Sequence, residues 1–208
     1  MATEATRTGL VDAALREFAA VGVAAASLVE ITRQAGQRNR GAVHYHFGGR
    51  EGLLAAVLEK HADFLGVRER ELLAVARTRV DDVPAVIEAL VRPSVELAED
   101  SWSGRCYLMI VAELVDHGSE FINDDVTNAL ARTGGYEVYE LLRSRLPDLG
   151  LALDEERLAL FTAFFLSAIA RRARAIDEQG SRAQLPTEQF IANLVTMSSA
   201  MLTVPPVA

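Results

Sequence analysis

The 208-residue sequence predicts an all-α protein: an N-terminal three-helix helix-turn-helix domain joined to a larger helical domain. Three observations predict it. Apolar residues recur at helical spacing through every long segment, and no run alternates apolar and polar residues as a strand would. The breaks between segments carry the residues that cap and stop helices. Half of the residues are hydrophobic, enough for real cores in one or two packed units. The expected boundary divides residues 1–48 from residues 49–208.

The first helix places Val11, Ala14, Leu15 and Phe18 on one face and stops at Gly22. Ser27-Leu28-Val29-Glu30 reads as a capping box, with the Ser side chain accepting from the third N–H and Glu reaching back. Leu28, Ile31 and Ala35 form the inner face of that short helix, and Gly36 ends it. Asn39 is the expected cap of a third helix that runs to about His46 and breaks at Gly48-Gly49. A fourth helix is expected from about Arg50, with Leu53, Leu54, Val57, Leu58, His61, Phe64 and Leu65 on a single stripe. Beyond Asp81-Asp82 more helices follow, with breaks near 101–104, 117–124, 133–135 and 147–153. Asp154-Glu155-Glu156 at one end and Arg171, Arg172 and Arg174 at the other suit the dipole of a helix over about 154–179. Between Leu158 and Ile169 that helix is apolar nearly all round, so a core or a second subunit must cover it. Pro186-Thr187 opens the last helix, whose apolar set is Phe190, Ile191, Leu194, Met197 and Met201.

The net charge of −8 is unevenly divided. Residues 1–60 hold seven Arg/Lys against six Asp/Glu, while the remainder hold fourteen against twenty-three. The acidity therefore belongs to the C-terminal part, which discourages non-specific adhesion to nucleic acid but leaves room for a local basic patch. Glu4, Asp12 and Glu17 interrupt the first twenty residues, so no secretory signal is expected. The most apolar stretch, 158–170, is too short to span a bilayer. A cytoplasmic protein without a membrane partner is the expectation. The single cysteine, Cys106, excludes an internal disulfide and a cysteine-based zinc cluster; a buried, inert thiol is expected there. No metal and no cofactor is expected either. His44 and His46 lie two apart, so on a helix they do not share a face.

The pair of short helices ending and restarting around Ala35-Gly36 forms a helix-turn-helix candidate with a tight turn. Its second helix must be anchored by one or two apolar residues, which Val43 and Phe47 supply, and must be polar toward the groove. Arg38, Asn39, Arg40 and Gly41 gather at its N-terminus, where side chains meet base edges. Ser27 stands at another helix N-terminus, a place that favours a phosphate. The run Ala35-Gly36-Gln37-Arg38-Asn39-Arg40-Gly41-Ala42-Val43-His44-Tyr45-His46-Phe47-Gly48-Gly49-Arg50-Glu51-Gly52-Leu53-Leu54 resembles the recognition region of the tetracycline-repressor (TetR) family. Phe18, Gly22 and the Ser27-capped helix fit the same pattern, so the likeness covers residues 7 to 61. It implies that Arg40 and Gly41 approach bases while Tyr45, His46 and Arg50 hold phosphates. His44 stands where many members carry Tyr, and Gln37-Arg38 makes the turn one residue longer than is common in the family.

The resemblance also implies a homodimer on palindromic double-stranded operator DNA, released by a small-molecule effector. Candidates to meet that effector are Trp102, Tyr107, Glu113, His117, Phe121, Phe161 and Phe165, each with core packing or a plain helix surface as the alternative role. A four-helix bundle made by the last two helices and their symmetry mates would use Leu158, Phe164, Phe165, Phe190, Leu194 and Met201. Two other classes remain open. An all-α enzyme would need a clustered acid–base or metal site, which the sequence does not display. A dimerisation or adaptor protein with a degenerate helix-turn-helix would have no use for Arg38, Arg40, His46 and Arg50.

Overall fold

Burial of an apolar stripe on each helix dictates how the helices stack. The computed structural model describes residues 2–117, 121–133, 135–177 and 183–206, with no strand among them. The helices are α1 (Ala2–Val21), α2 (Leu28–Gln34), α3 (Ala42–Phe47), α4 (Arg50–Glu59), α5 (Ala62–Arg77) and α6 (Val83–Asp100). They continue as α7 (Trp102–His117), α8 (Asp124–Ala131), α9 (Gly135–Arg145), α10 (Leu151–Asp177) and α11 (Thr187–Thr203). No helix among the described residues is long and apolar enough to cross a membrane.

Side-chain caps fix several starts. Ser27 Oγ accepts from Glu30 N at 3.3 Å, Asp82 Oδ1 from Ala85 N at 3.0 Å, and Asn123 Oδ1 from Val126 N at 2.9 Å. Only half of the expected capping box forms. The Glu30 carboxylate turns to Arg33 at 2.6 and 2.8 Å and to Gln34 at 3.0 Å, bonds that hold its pKa down to about 2. Asn39 does not cap a helix in the expected way. Its Oδ1 accepts from Gly41 N at 3.0 Å and its carbonyl from Ala42 N at 3.0 Å, so an Asx turn precedes a helix that begins at Ala42.

The expected continuous fourth helix is two helices. It breaks at Lys60-His61, where the His61 and Ser103 side chains share a 2.8 Å hydrogen bond and the His61 ring meets Tyr107 edge-on at 5.4 Å. The break re-phases the stripe. Leu53, Leu54, Val57 and Leu58 are fully buried on α4, whereas Phe64 on α5 is exposed.

Leu10, Ala14, Leu15 and Phe18 of α1 are wholly buried, and one contiguous apolar cluster runs from them through α4–α9 to Leu202. α7 packs against α1, α6 and α10. α6 bridges α5, α9 and α11. Each fully buried Leu, Ile or Phe contributes at most about 1.5–3 kcal/mol, so the cluster outweighs any single polar contact.

α10 starts at Leu151, before the expected Asp154, and its inner face takes Leu158, Phe161, Phe165, Leu166 and Ile169. Leu158, Phe165 and, on α11, Leu194 are therefore enclosed within one protomer and present nothing to a second subunit. Phe164, Phe190 and Met201 are half-buried, and Leu160 and Met197 are exposed. Buried Arg172 ties α10 to its neighbours. It donates to Glu99 Oε1 at 2.7 and 2.9 Å, to the Leu185 carbonyl at 2.8 Å and to Thr187 Oγ1 at 3.3 Å, with its guanidinium over the Phe190 ring at 4.7 Å.

Candidate nucleic-acid interface

A recognition helix must be rigid underneath and polar outside, and α3 meets both demands. Ala42 and Val43 are buried, and Phe47 is half-buried beneath the Arg7 guanidinium, which lies 4.4 Å from the ring centre. Arg7 also donates to the His46 carbonyl at 2.8 Å, stapling the start of α1 to the last turn of α3. α4 abuts the same turn. A Cβ at Gly52 would collide with the Phe47 carbonyl oxygen, so only glycine permits this approach.

Outward from this base, Arg38, Asn39, Arg40, His44 and Tyr45 are exposed, Tyr45 at 81%. Gly41 and His46 are half-buried, and the Tyr45 and His46 rings meet edge-on at 4.9 Å. His44 Nδ1 lies 3.3 Å from the Gly48 carbonyl. The turn between α2 and α3 runs over residues 35–41 and is not tight: Gln37 N closes back on the Thr32 carbonyl at 3.0 Å before the Asx turn. Arg38 and Arg40 therefore project from this turn rather than from the helix, while Ser27 is exposed and already occupied as the α2 cap.

Arg50, from the first position of α4, is half-buried and donates through Nη1 to the Val23 carbonyl. On the other side of that residue, Val23 N donates to Glu113 Oε1 at 2.9 Å. Val23 is thus held between an arginine of α4 and a carboxylate of α7. Gly22, at φ +86°, makes the grip possible, since a Cβ there would come within 2.8 Å of Glu113 Oε1. This clamp was not legible in the sequence, because its acceptor and donor are backbone groups.

Residues 10–57, spanning most of α1 through most of α4, match the model of the bacterial regulatory proteins of the tetR family. That segment carries the N-terminal helix-turn-helix domain of the tetR family. It is 39% identical over 90 residues to the HTH-type transcriptional regulator SrpR of Pseudomonas putida, 43% of this chain and 42% of that protein. It is 39% identical over 88 residues to the uncharacterised HTH-type transcriptional regulator TtgW, also of Pseudomonas putida, 42% of this chain and 65% of that one. The matches thus span about two-fifths and somewhat under two-thirds of these relatives. Two solved structures extend the likeness of fold to the whole chain. The fatty acid degradation regulator FadR from Bacillus halodurans superposes with TM-score 0.58 at 13% identity, covering 98% of this chain and 97% of that one. AibR, solved with isovaleryl coenzyme A and operator DNA, gives TM-score 0.54 at 17% identity, covering 97% and 100%.

Outside the TetR-matched region, the residues expected to meet an effector separate into two groups. Tyr107, Phe161 and Phe165 lie buried in the body, with the Phe161 and Phe165 rings 5.0 Å apart and Tyr139 6.3 Å from Phe161. Trp102 and Glu113 instead face the N-terminal helices: the Arg16 guanidinium sits 3.8 Å over the Trp102 ring, and Glu113 holds Val23. Phe121 is half-buried at the edge of the core, and the His117 side chain lies outside the described residues. Cys106 is buried, and burial pushes its thiol pKa up, away from reactivity. Among the described residues no three His, Cys, Asp or Glu side chains gather as a metal site.

Sequence reasoning passed over Glu69 of α5. It is 5% exposed and its Oε2 has no hydrogen-bond partner, so burial raises its pKa to about 8. The signal was present: a glutamate on a helix face otherwise made of Ala62, Leu65, Gly66, Leu73 and Ala76.

Proposed function

We propose that the chain is a DNA-binding transcriptional regulator that acts as a homodimeric repressor and is released from a palindromic operator by a small molecule. The observation that carries the DNA-binding reading is the helix-turn-helix itself. α3 is anchored by Val43 and Phe47 while Arg38, Arg40, His44 and Tyr45 are left outward, an arrangement with no use in a purely structural domain. In this reading Arg40 and Gly41 approach base edges. Ser27, Arg38, Asn39, His44, Tyr45, His46 and Arg50 hold the sugar–phosphate backbone. Residues 1–48 are the DNA-binding unit and 49–208 the effector and dimer unit.

The dimer would use the faces of α10 and α11 that one protomer leaves open, with Leu160, Phe164, Phe190, Met197 and Met201 against their symmetry mates. A twofold pair sets two recognition helices about one DNA turn apart, roughly 34–36 Å. An effector that favours another separation lowers operator affinity by its unequal affinity for the two states. Trp102 and Glu113 give the body its grip on the N-terminal helices. AibR, whose structure holds both an acyl-coenzyme A and operator DNA, supports a two-ligand reading in kind.

Selection from a random-sequence duplex pool tests this. We expect enrichment of a palindrome whose half-sites lie one turn apart, and release of that duplex by members of a compound library. A pool that shows no enrichment at low salt overturns the reading.

A further inference from the structure

An open cleft of about 460 Å³ lies where the end of α1 meets α7 and α10. Small residues make room for it: Ala19, Ala20 and Gly22 from α1 and its turn, with buried Ala112 of α7 and Ala170 of α10 beneath. Each body helix adds a pair of like charges to the lining. α7 contributes the carboxylates of Glu113 and Asp116, and α10 the guanidiniums of Arg171 and Arg174. The members of each pair stand three residues apart, so they share one face of their helix.

These opposite charges line one cleft and do not neutralise one another. Among the described residues Asp116, Arg171 and Arg174 have neither an ion pair nor a hydrogen bond, and Glu113 gives Oε1 to Val23 N at 2.9 Å. Pairing is available close by, since Arg172 meets Glu99 at 2.7 Å and Arg105 meets Asp177 at 2.7 Å. Two arginines left without a carboxylate are unexpected in so acidic a body. Guanidiniums one turn apart suit a carboxylate, and two carboxylates one turn apart suit an ammonium. A plain anion would be repelled by Glu113 and Asp116, and a plain cation by the arginines. A molecule that carries both charges escapes both penalties.

We propose that this cleft is a binding site for a small zwitterion, a linear amino acid with a carboxylate at one end and an ammonium at the other. The carboxylate goes to Arg171 and Arg174, the ammonium to Asp116 and Glu113, and the alanine floor takes the skeleton. The site is separate from buried Tyr107, Phe161 and Phe165, and its arginines stand at least two turns along α10 from Phe164 on the face given above to the dimer. It also borders the Val23 clamp, because Gly22 and Glu113 belong to its lining. An occupant therefore shares the carboxylate that holds Val23, and its presence is felt at the turn into α2. The inference goes beyond the reading above and needs no operator.

The test is isothermal titration of the full-length protein, free of DNA, with glycine, 4-aminobutyrate and 6-aminohexanoate, and with butyrate and butylamine as single-charge controls. At least one of the three zwitterions should bind wild type at least about tenfold tighter than either control. Replacing both arginines, Arg171→Gln with Arg174→Gln, should erase that zwitterion's advantage over butylamine. Asp116→Asn should cut its advantage over butyrate by at least about threefold. Circular dichroism of both variants should match wild type, because these side chains are exposed and unpaired. At saturation the Val23 amide resonance should move. Three zwitterions that bind no tighter than the controls, including not at all, overturn the proposal. So do an unchanged advantage in either variant, a loss of helicity in them, or a Val23 amide that stays in place.

Discussion

Val23 shows how a single residue can join two parts of a chain. Its N–H goes to Glu113 on α7 and its carbonyl accepts from Arg50 on α4. Removing the carboxylate in Glu113→Ala leaves a half-buried N–H unpaired and should cost about 1.5–3 kcal/mol in urea unfolding. Gly22→Ala forces a side chain into φ +86°, about 1–2 kcal/mol, and pushes its Cβ against the Glu113 oxygen. The double variant should cost less than the sum of the two, because the collision vanishes with the carboxylate. Strict additivity would mean that the two residues do not touch in solution. Glu69 gives a second prediction at this scale. Its folded pKa, about 8, lies above the unfolded 4.5, so the folded state holds more protons between those values. Its contribution is complete below pH 4.5 and is lost as pH rises through 8, by up to about 1.4 kcal/mol per pH unit. His61, whose pKa burial lowers, acts in the opposite sense below pH 6.5, so the clean window is pH 6.5–8. There wild-type stability should fall with pH more steeply than that of Glu69→Gln. Equal slopes would place the Glu69 carboxyl in contact with water or a donor.

Among the elements, the helix-turn-helix makes the division between base reading and anchoring testable. Arg40 is exposed on the turn, whereas Arg50 is half-buried and holds Val23. Arg40→Ala should relax base preference at one or two symmetric positions, costing roughly 1–3 kcal/mol per half-site, and leave stability unchanged. Arg50→Ala should weaken all duplexes about equally and also lower the unfolding midpoint. Selection profiles of the same shape for both variants would refute this assignment. Much of this element was readable in the sequence, since Ser27, Gly36, Val43 and Phe47 act through local propensity and short-range spacing. The start of α3 was not, because Asn39 serves equally well as a helix cap and as an Asx turn, and the added residue in the turn decides between them. The break at Lys60-His61 escaped for a similar reason: it depends on Ser103 and Tyr107, some forty residues away. In the body, periodicity marked Leu158, Phe165 and Leu194 as apolar but could not say which side of the helix meets the protomer's own core. Trp102 and Glu113 were marked as pocket residues, while long-range packing turns them toward α1 and the Val23 turn.

Considered whole, the molecule sets the exposed Arg38, Arg40, His44 and Tyr45 of its helix-turn-helix on an acidic body, with uncovered apolar surface on α10 and α11. Leu160 and Met197 are 55% and 48% exposed, so a charge at either leaves the protomer's core intact. Leu160→Glu and Met197→Glu should each shift sedimentation toward the monomer without lowering helicity. They should also remove the advantage of a full palindrome over a half-site, which arises from linkage of two sites. Two folded variants that both remain dimeric would move the interface elsewhere. The central claim, that this is a DNA-reading protein, is tested most directly by the salt dependence of its affinity for the selected palindrome, followed by fluorescence anisotropy. The account predicts a steep linear fall of log affinity with log salt, its slope shallower by about 0.9 for each phosphate contact removed by substitution. An affinity that is flat with salt, or no stronger for the palindrome than for a scrambled duplex, would contradict it.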